Sequence, residues 1–147
     1  MILLKYQGKY SGFPCNFEIM NTETHNRKIF LKADELHRMG HALLVDEVLD
    51  ARYGVSYRSL SLRQHIAFDL RTDCAQLNNA IKQIIENTQT EQKTQLAYIQ
   101  SLIKNLLSYC RGLEYDKAPD IDYVRLVKRE TLLFRRMYRQ WVRQLTQ

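Results

Sequence analysis

The sequence predicts an α+β domain, mostly α, in which a short N-terminal antiparallel β-meander precedes a four-helix-bundle-like region. Three observations predict it. Up to residue 32 the apolar residues fall in short runs between turn-rich separators. From Asp34 the apolar period lengthens to that of a helix and recurs in four segments. The chain has 147 residues, 45% of them hydrophobic and only 5 Gly and 2 Pro, which is the composition and size of a single globular domain.

The strands are expected at residues 2–6, 17–20 and 27–31, separated by Gly12-Phe13-Pro14 and by the polar run 21–26. Such a meander cannot bury both faces alone, so one face is expected to rest on the helices. The first helix is predicted over 34–53, with Leu36, Met39, Leu43 and Val48 on one stripe and Gly54 in position for a left-handed cap. Ser61 and Gln64 form a capping box ahead of a second helix over 62–87, whose stripe is Ile66, Leu70, Cys74, Leu77, Ile81 and Ile84. Residues 88–91 repeat the capping signal before a third helix over 91–111, with Leu96, Ile99, Leu102, Leu106 and Tyr109 apolar and Gly112 as its expected stop. The short connection predicts an antiparallel hairpin between these two helices. Residues 113–122, with one proline and four acids, read as a loop. A fourth helix over 122–145 carries Val124, Val127, Phe134, Tyr138, Trp141 and Leu145 on one stripe, with Thr131 filling its gap.

Charge is distributed unevenly. The chain has 22 basic and 16 acidic residues, a net charge of +6, and the window 125–143 alone holds seven basic residues against one acid, Glu130. At about 100° per residue, Arg125, Lys128, Arg129, Arg135, Arg136, Arg139 and Arg143 all fall within an arc of roughly 120° beside the apolar stripe, with Glu130 outside it. The pairs Arg125/Arg129, Arg135/Arg139 and Arg139/Arg143 place like charges four apart, which costs a few tenths of a kcal/mol each unless an anion or nearby acids offset it. Six of the seven are arginines, whose planar fork suits phosphate and carboxylate oxygens. The stripe therefore points to a solvated face or one paired with the acids of the 114–122 loop, to binding of a nucleic-acid backbone, or to docking of an acidic protein segment. An anionic membrane surface is disfavoured because the apolar stripe is needed for the core.

Signals for catalysis are sparse, and no enzyme activity or cofactor is expected. His37 and His41 stand four apart with Asp34 nearby, but the intervening Arg-Met-Gly lacks a metalloprotease glutamate, and the bland alternative is two half-buried histidines. Cys15 has no basic neighbour in sequence to hold a thiolate. Phosphate loops, nucleophile elbows and calcium loops have no match. The three cysteines, Cys15, Cys74 and Cys110, lack metal or redox spacing, so packed thiols in a reducing, cytoplasmic setting are expected. Apolar runs stay far below the roughly 18 residues of a membrane span, so no membrane partner is expected either, and the start has no secretory pattern.

Residues 51–145 resemble a family. Ala51-Arg52-Tyr53, Leu60, the helix with Asp73, Leu77 and Ile81, then Leu96-Ala97-Tyr98-Ile99, and finally Leu133-Phe134-Arg135-Arg136-Met137 are similar in order and rough spacing to the replication-restart protein family PriC. The resemblance implies a small, basic, helical protein. It implies binding to single-stranded DNA and to the acidic C-terminal tail of the single-stranded DNA-binding protein, together with a contribution to loading the replicative helicase. It also implies that Arg136 occupies the position that meets the acidic tail. The function expected is thus non-catalytic binding of single-stranded DNA or an acidic tail through the arginine face. The alternative is an interaction subunit or inhibitor that docks on an acidic protein surface without nucleic acid.

Overall fold

The computed structural model describes residues 13–48, 61–86, 92–115 and 120–146, with side chains described from residue 22 to 43 in the first of these segments. They form four helices: α1 (Phe13–Val48), α2 (Leu62–Glu86), α3 (Gln92–Tyr115) and α4 (Ile121–Leu145). Each helix packs on two others in a closed ring, α1 on α2, α2 on α3, α3 on α4 and α4 back on α1.

Every neighbouring pair is antiparallel, as the cross-helix bonds show. Asn78 donates to Asp34 at 3.2 Å, while Cys74 and Leu70, earlier in α2, lie against Gly40, later in α1. Asn105 donates to Asp73, and Tyr98, earlier in α3, donates to Gln76, later in α2. On α4, Tyr138 donates to the Leu96 carbonyl near the start of α3, and Lys128 meets Glu114 near its end. The bundle closes through Trp141, whose indole N–H donates to Asn26 at 2.8 Å, and Tyr123, whose hydroxyl donates to the Met39 carbonyl.

The fold is all-helical among the described residues, which overturns the α+β expectation. Residues 17–20 and 27–31, read as strands, lie inside α1, and that helix begins well before residue 34. The strand expected at 2–6, the stop at Gly54 and the capping signal at 88–91 lie outside the described residues. Among the described side chains of α1 the buried positions are Ile29, Ala33, Leu36, Gly40 and Leu43, a spacing of four and three that defines a helix face. Two of those five positions are filled by an alanine and a glycine, so the stripe is weak when only large apolar side chains are counted. Apolar clusters such as Ile29-Phe30-Leu31 then mimic a short strand.

The other three helices follow their stripes. Ser61 caps α2 as a box: its hydroxyl accepts from the Gln64 N–H at 3.2 Å, and the Gln64 side chain accepts from the Ser61 N–H at 2.8 Å. Leu70, Cys74, Leu77, Ile81 and Ile84 are buried and Ile66 is partly so. Ile99, Leu102 and Leu106 of α3 are buried, as are Val124, Val127, Phe134, Tyr138 and Trp141 of α4. Thr131 fills the gap in that last stripe without an orphaned hydroxyl, because it donates to the Val127 carbonyl at 2.8 Å. Gly112 does not end α3, which continues to Tyr115, so residues 113–115 and 121–122 of the expected loop are helical, and 116–119 lie outside the described residues.

Arg63, at the start of α2, fixes the far end of the ring. Its guanidinium donates to the Leu113 carbonyl at 2.9 Å and to the Asp120 carboxylate, joining α2 to the last turn of α3 and to the residue before α4. A second polar link lies between α1 and α4, where Lys32 pairs with both Glu130 and Glu35. Burial pushes the Lys32 pKa down, but the two glutamates outweigh it and hold the ammonium above its usual range. The thiols of Cys74 and Cys110 are buried and free, and burial raises both pKa values, Cys110 to about 12.

Candidate functional site

The charge of the bundle is sorted by helix. Helices α3 and α4 together hold ten basic and three acidic residues, whereas α1 holds four basic and six acidic and α2 holds three of each. The surplus of positive charge therefore lies on one helix pair.

On α4 the buried residues Val124, Val127, Thr131, Phe134, Tyr138 and Trp141 set the inward direction. Arg125, Arg129, Arg136 and Arg143 project about opposite to it and are exposed. Arg139 is exposed on the flank toward α3, and Arg135 and Lys128 on that flank are half-buried. All seven residues predicted from the sequence thus fall on one continuous strip that the core does not use.

Of the acids expected to neutralise this strip, Glu114, Asp120 and Asp122 reach only part of it, and Asp116 lies outside the described residues. Lys128 is committed to Glu114 at 3.3 Å, and Arg125 approaches the exposed Asp122 at 3.8 Å. Asp120 turns away to Arg63. Glu130 lies 3.7 Å from the Arg129 Nε but is held by Lys32 on the α1 side. Arg135, Arg136, Arg139 and Arg143 have no carboxylate partner among the described residues. Four arginines within nine residues with no carboxylate partner among the described residues raise the potential over this end of α4, which an external anion would lower.

The aromatic residues on α4 serve the core. Tyr138 stacks on Phe134 with centroids 6.4 Å apart, and Trp141 is buried with its N–H bonded to Asn26. Burial raises the Tyr138 phenol to about 12, consistent with a hydroxyl that only donates, here to the Leu96 carbonyl. Neither ring is available for stacking on a ligand.

Three basic residues escaped the sequence reading. Lys93, Lys104 and Arg111 are exposed on α3, and their separations of 11 and 7 residues are close to three and two helical turns. Those separations were the signal, though the dilution of three charges over 19 residues hides it beside the dense cluster on α4. The histidine pair carries no site: His37 is half-buried, His41 is exposed, and Asp34 is already bonded to Arg38 and Asn78. No group of three or more potential metal ligands occurs among the described residues. No helix among them is long and apolar enough to cross a membrane.

Fold and face together define an antiparallel four-helix bundle with one strongly basic helix pair. Comparison with protein-family models, curated proteins and solved structures gives no match.

Proposed function

We propose that the protein is a non-catalytic binding module whose α4 face holds the phosphate backbone of single-stranded DNA. The observation that carries this reading is the outward strip of Arg125, Arg129, Arg136 and Arg143, flanked by Lys128, Arg135 and Arg139, on which Arg135, Arg136, Arg139 and Arg143 have no carboxylate partner among the described residues. A row of exposed guanidiniums releases counterions when it meets a polyanion, so affinity comes with a steep salt dependence. An all-helical bundle with its positive charge on the C-terminal helices also suits the resemblance to the restart family. On that resemblance the setting is a cytoplasmic one, the abandoned replication fork, where the protein would assist loading of the replicative helicase.

A second reading, the acidic tail of the single-stranded DNA-binding protein, is favoured by the shape of the surface. Between the start of α3 and the end of α4 lies a groove floored by Leu96, Ala97 and Val142 and rimmed by Lys93, Arg139 and Arg143. An acidic peptide with an apolar side chain would find an apolar floor and a basic rim there.

Anisotropy titrations of a labelled oligo-dT strand and of a labelled acidic tail peptide, each at low and moderate salt, test both. Single-strand binding should weaken linearly on a log–log salt plot, and the double variant Arg129→Ala/Arg136→Ala should flatten that slope by about 1.4, at roughly 0.7 per phosphate contact. Peptide binding without oligonucleotide binding would leave the tail as partner. Failure of both probes at low salt would leave an interaction subunit or inhibitor that docks on a folded acidic surface.

A further inference from the structure

The basic surface does not stop at α4. Lys93, Ala97, Gln100, Lys104, Arg111 and Tyr115 recur along α3 at intervals of three, four and seven, and so lie along one line of that helix. This line borders α4. Lys93, Ala97 and Gln100 share a groove with Arg139 and Arg143 at one end, and Glu114 pairs with Lys128 at the other. Because the helices are antiparallel, Lys104 falls between these ends, at the level of Arg135. Lys93, Lys104 and Arg111 are exposed, with no carboxylate partner among the described residues. Glu114 is the one acid within α3, and Lys128 neutralises it.

The opposite flank of α4 has a different character. There it meets α1, and the polar residues at that seam include Lys32, with its partners Glu130 and Glu35, and Gln144 and Asn26. The acids on the α1 side are thus already paired with Lys32, whereas the α3 side offers basic side chains with no carboxylate partner among the described residues.

We infer that the ligand track is the seam between α3 and α4, with Lys93, Lys104 and Arg111 forming its second bank opposite Lys128, Arg135 and Arg139, and that a single nucleic-acid strand runs along it. This rests on the single-stranded DNA reading above. Lys93 to Arg111 and Arg125 to Arg143 each span 18 residues, about 27 Å of helix at 1.5 Å per residue. Packed helices lie about 8–10 Å apart, so both banks reach one backbone. At about 3.4 Å per phosphate in a stacked strand, the track holds roughly eight nucleotides, and fewer if the strand is extended. The exposed ring of Tyr115, 87% accessible, stands at the Arg111 end, where a terminal base can stack on it.

The test compares two charge-matched triple variants of the full chain. Lys93→Ala/Lys104→Ala/Arg111→Ala strips the α3 bank, and Arg27→Ala/Lys28→Ala/Lys82→Ala removes three exposed basic residues from α1 and α2. The readouts are the salt slope of oligo-dT binding and the strand length, from 4 to 16 nucleotides, at which affinity levels off. The inference expects the α3 triple to lose about two units of slope, at roughly 0.7 per contact, while the control keeps the wild-type slope and levels off near eight nucleotides. Lys93→Arg/Lys104→Arg should retain both. If the α3 triple matches the control while Arg129→Ala/Arg136→Ala weakens binding, the α3 bank is overturned and the α4 reading stands. If the unaltered protein binds no oligonucleotide at low salt, or polyglutamate of equal charge displaces the strand at equal concentration, both are overturned.

Discussion

Alanine at Gly112 and alanine at Gly40 should move stability in opposite directions, although both glycines lie inside helices. In a helix interior, alanine is favoured over glycine by about 1 kcal/mol, and this gain is common to both sites. The difference lies in what the added methyl meets. At Gly112 the new carbon would stand 3.2 Å from Ile66 Cδ1, the free end of a partly buried side chain that can turn aside. At Gly40 it would stand 3.1 Å from Cys74 Sγ and 3.2 Å from Leu70 Cδ2, both fully buried between α1 and α2. Cysteine has a single side-chain torsion, so relief there requires the helices to part, at an overpacking cost of about 1–3 kcal/mol. Gly112→Ala should therefore gain about 0.5–1 kcal/mol and raise the Tm by about 2–4 °C. Gly40→Ala should break even or lose up to about 2 kcal/mol. Urea and thermal unfolding followed by Trp141 fluorescence and circular dichroism measure both. Equal stabilisation by the two substitutions would refute the close approach of α1 and α2 at Gly40.

Trp141, the one tryptophan, should emit in the blue when folded and shift to the red on unfolding, and Trp141→Ala should cost about 3–5 kcal/mol through the cavity it leaves. Lys32→Met should destabilise by about 1.5–3 kcal/mol, because Glu130, at 16% side-chain exposure, loses its main partner. Lys32→Met/Glu130→Met should recover most of that in urea melts, and a double variant no better than the single one would contradict the pairing. In a Cys15→Ser background, Cys74 and Cys110 should resist a thiol reagent at pH 8 until urea unfolds the chain. Since burial raises the Cys110 thiol from 9.0 to about 12, its contribution to stability is complete below about pH 9 and is lost as the pH climbs through about 12.

Helices α2, α3 and α4 could be read from the chain because each writes its core in large apolar residues at helical spacing, with Ser61 and Gln64 marking one start. The N-terminal helix could not, because Ala33 and Gly40 occupy core positions without advertising them, and its signal lies in shape rather than hydrophobicity. Gly112 misled in the other direction: a glycine near an apolar stripe's end suggests a stop, but here it lets α3 pass close to Ile66 and continue. The arginine strip was evident from density and angle alone. Which of its charges are already spoken for was not, since Glu114 and Asp120 are near neighbours in sequence and only the fold sends one to Lys128 and the other to Arg63.

The alternation of helix direction has an electrostatic consequence. Each helix carries a macrodipole worth about half a charge at either end, and in the antiparallel pair α3 and α4 these point in opposite senses. At both ends of the pair a positive helix terminus stands beside a negative one, so the backbone contribution largely cancels. The field over the basic surface is left to side chains, which are spread over equal lengths of the two helices. Such a field attracts a polyanion without telling one of its ends from the other, so any preference for strand polarity must come from contacts at short range.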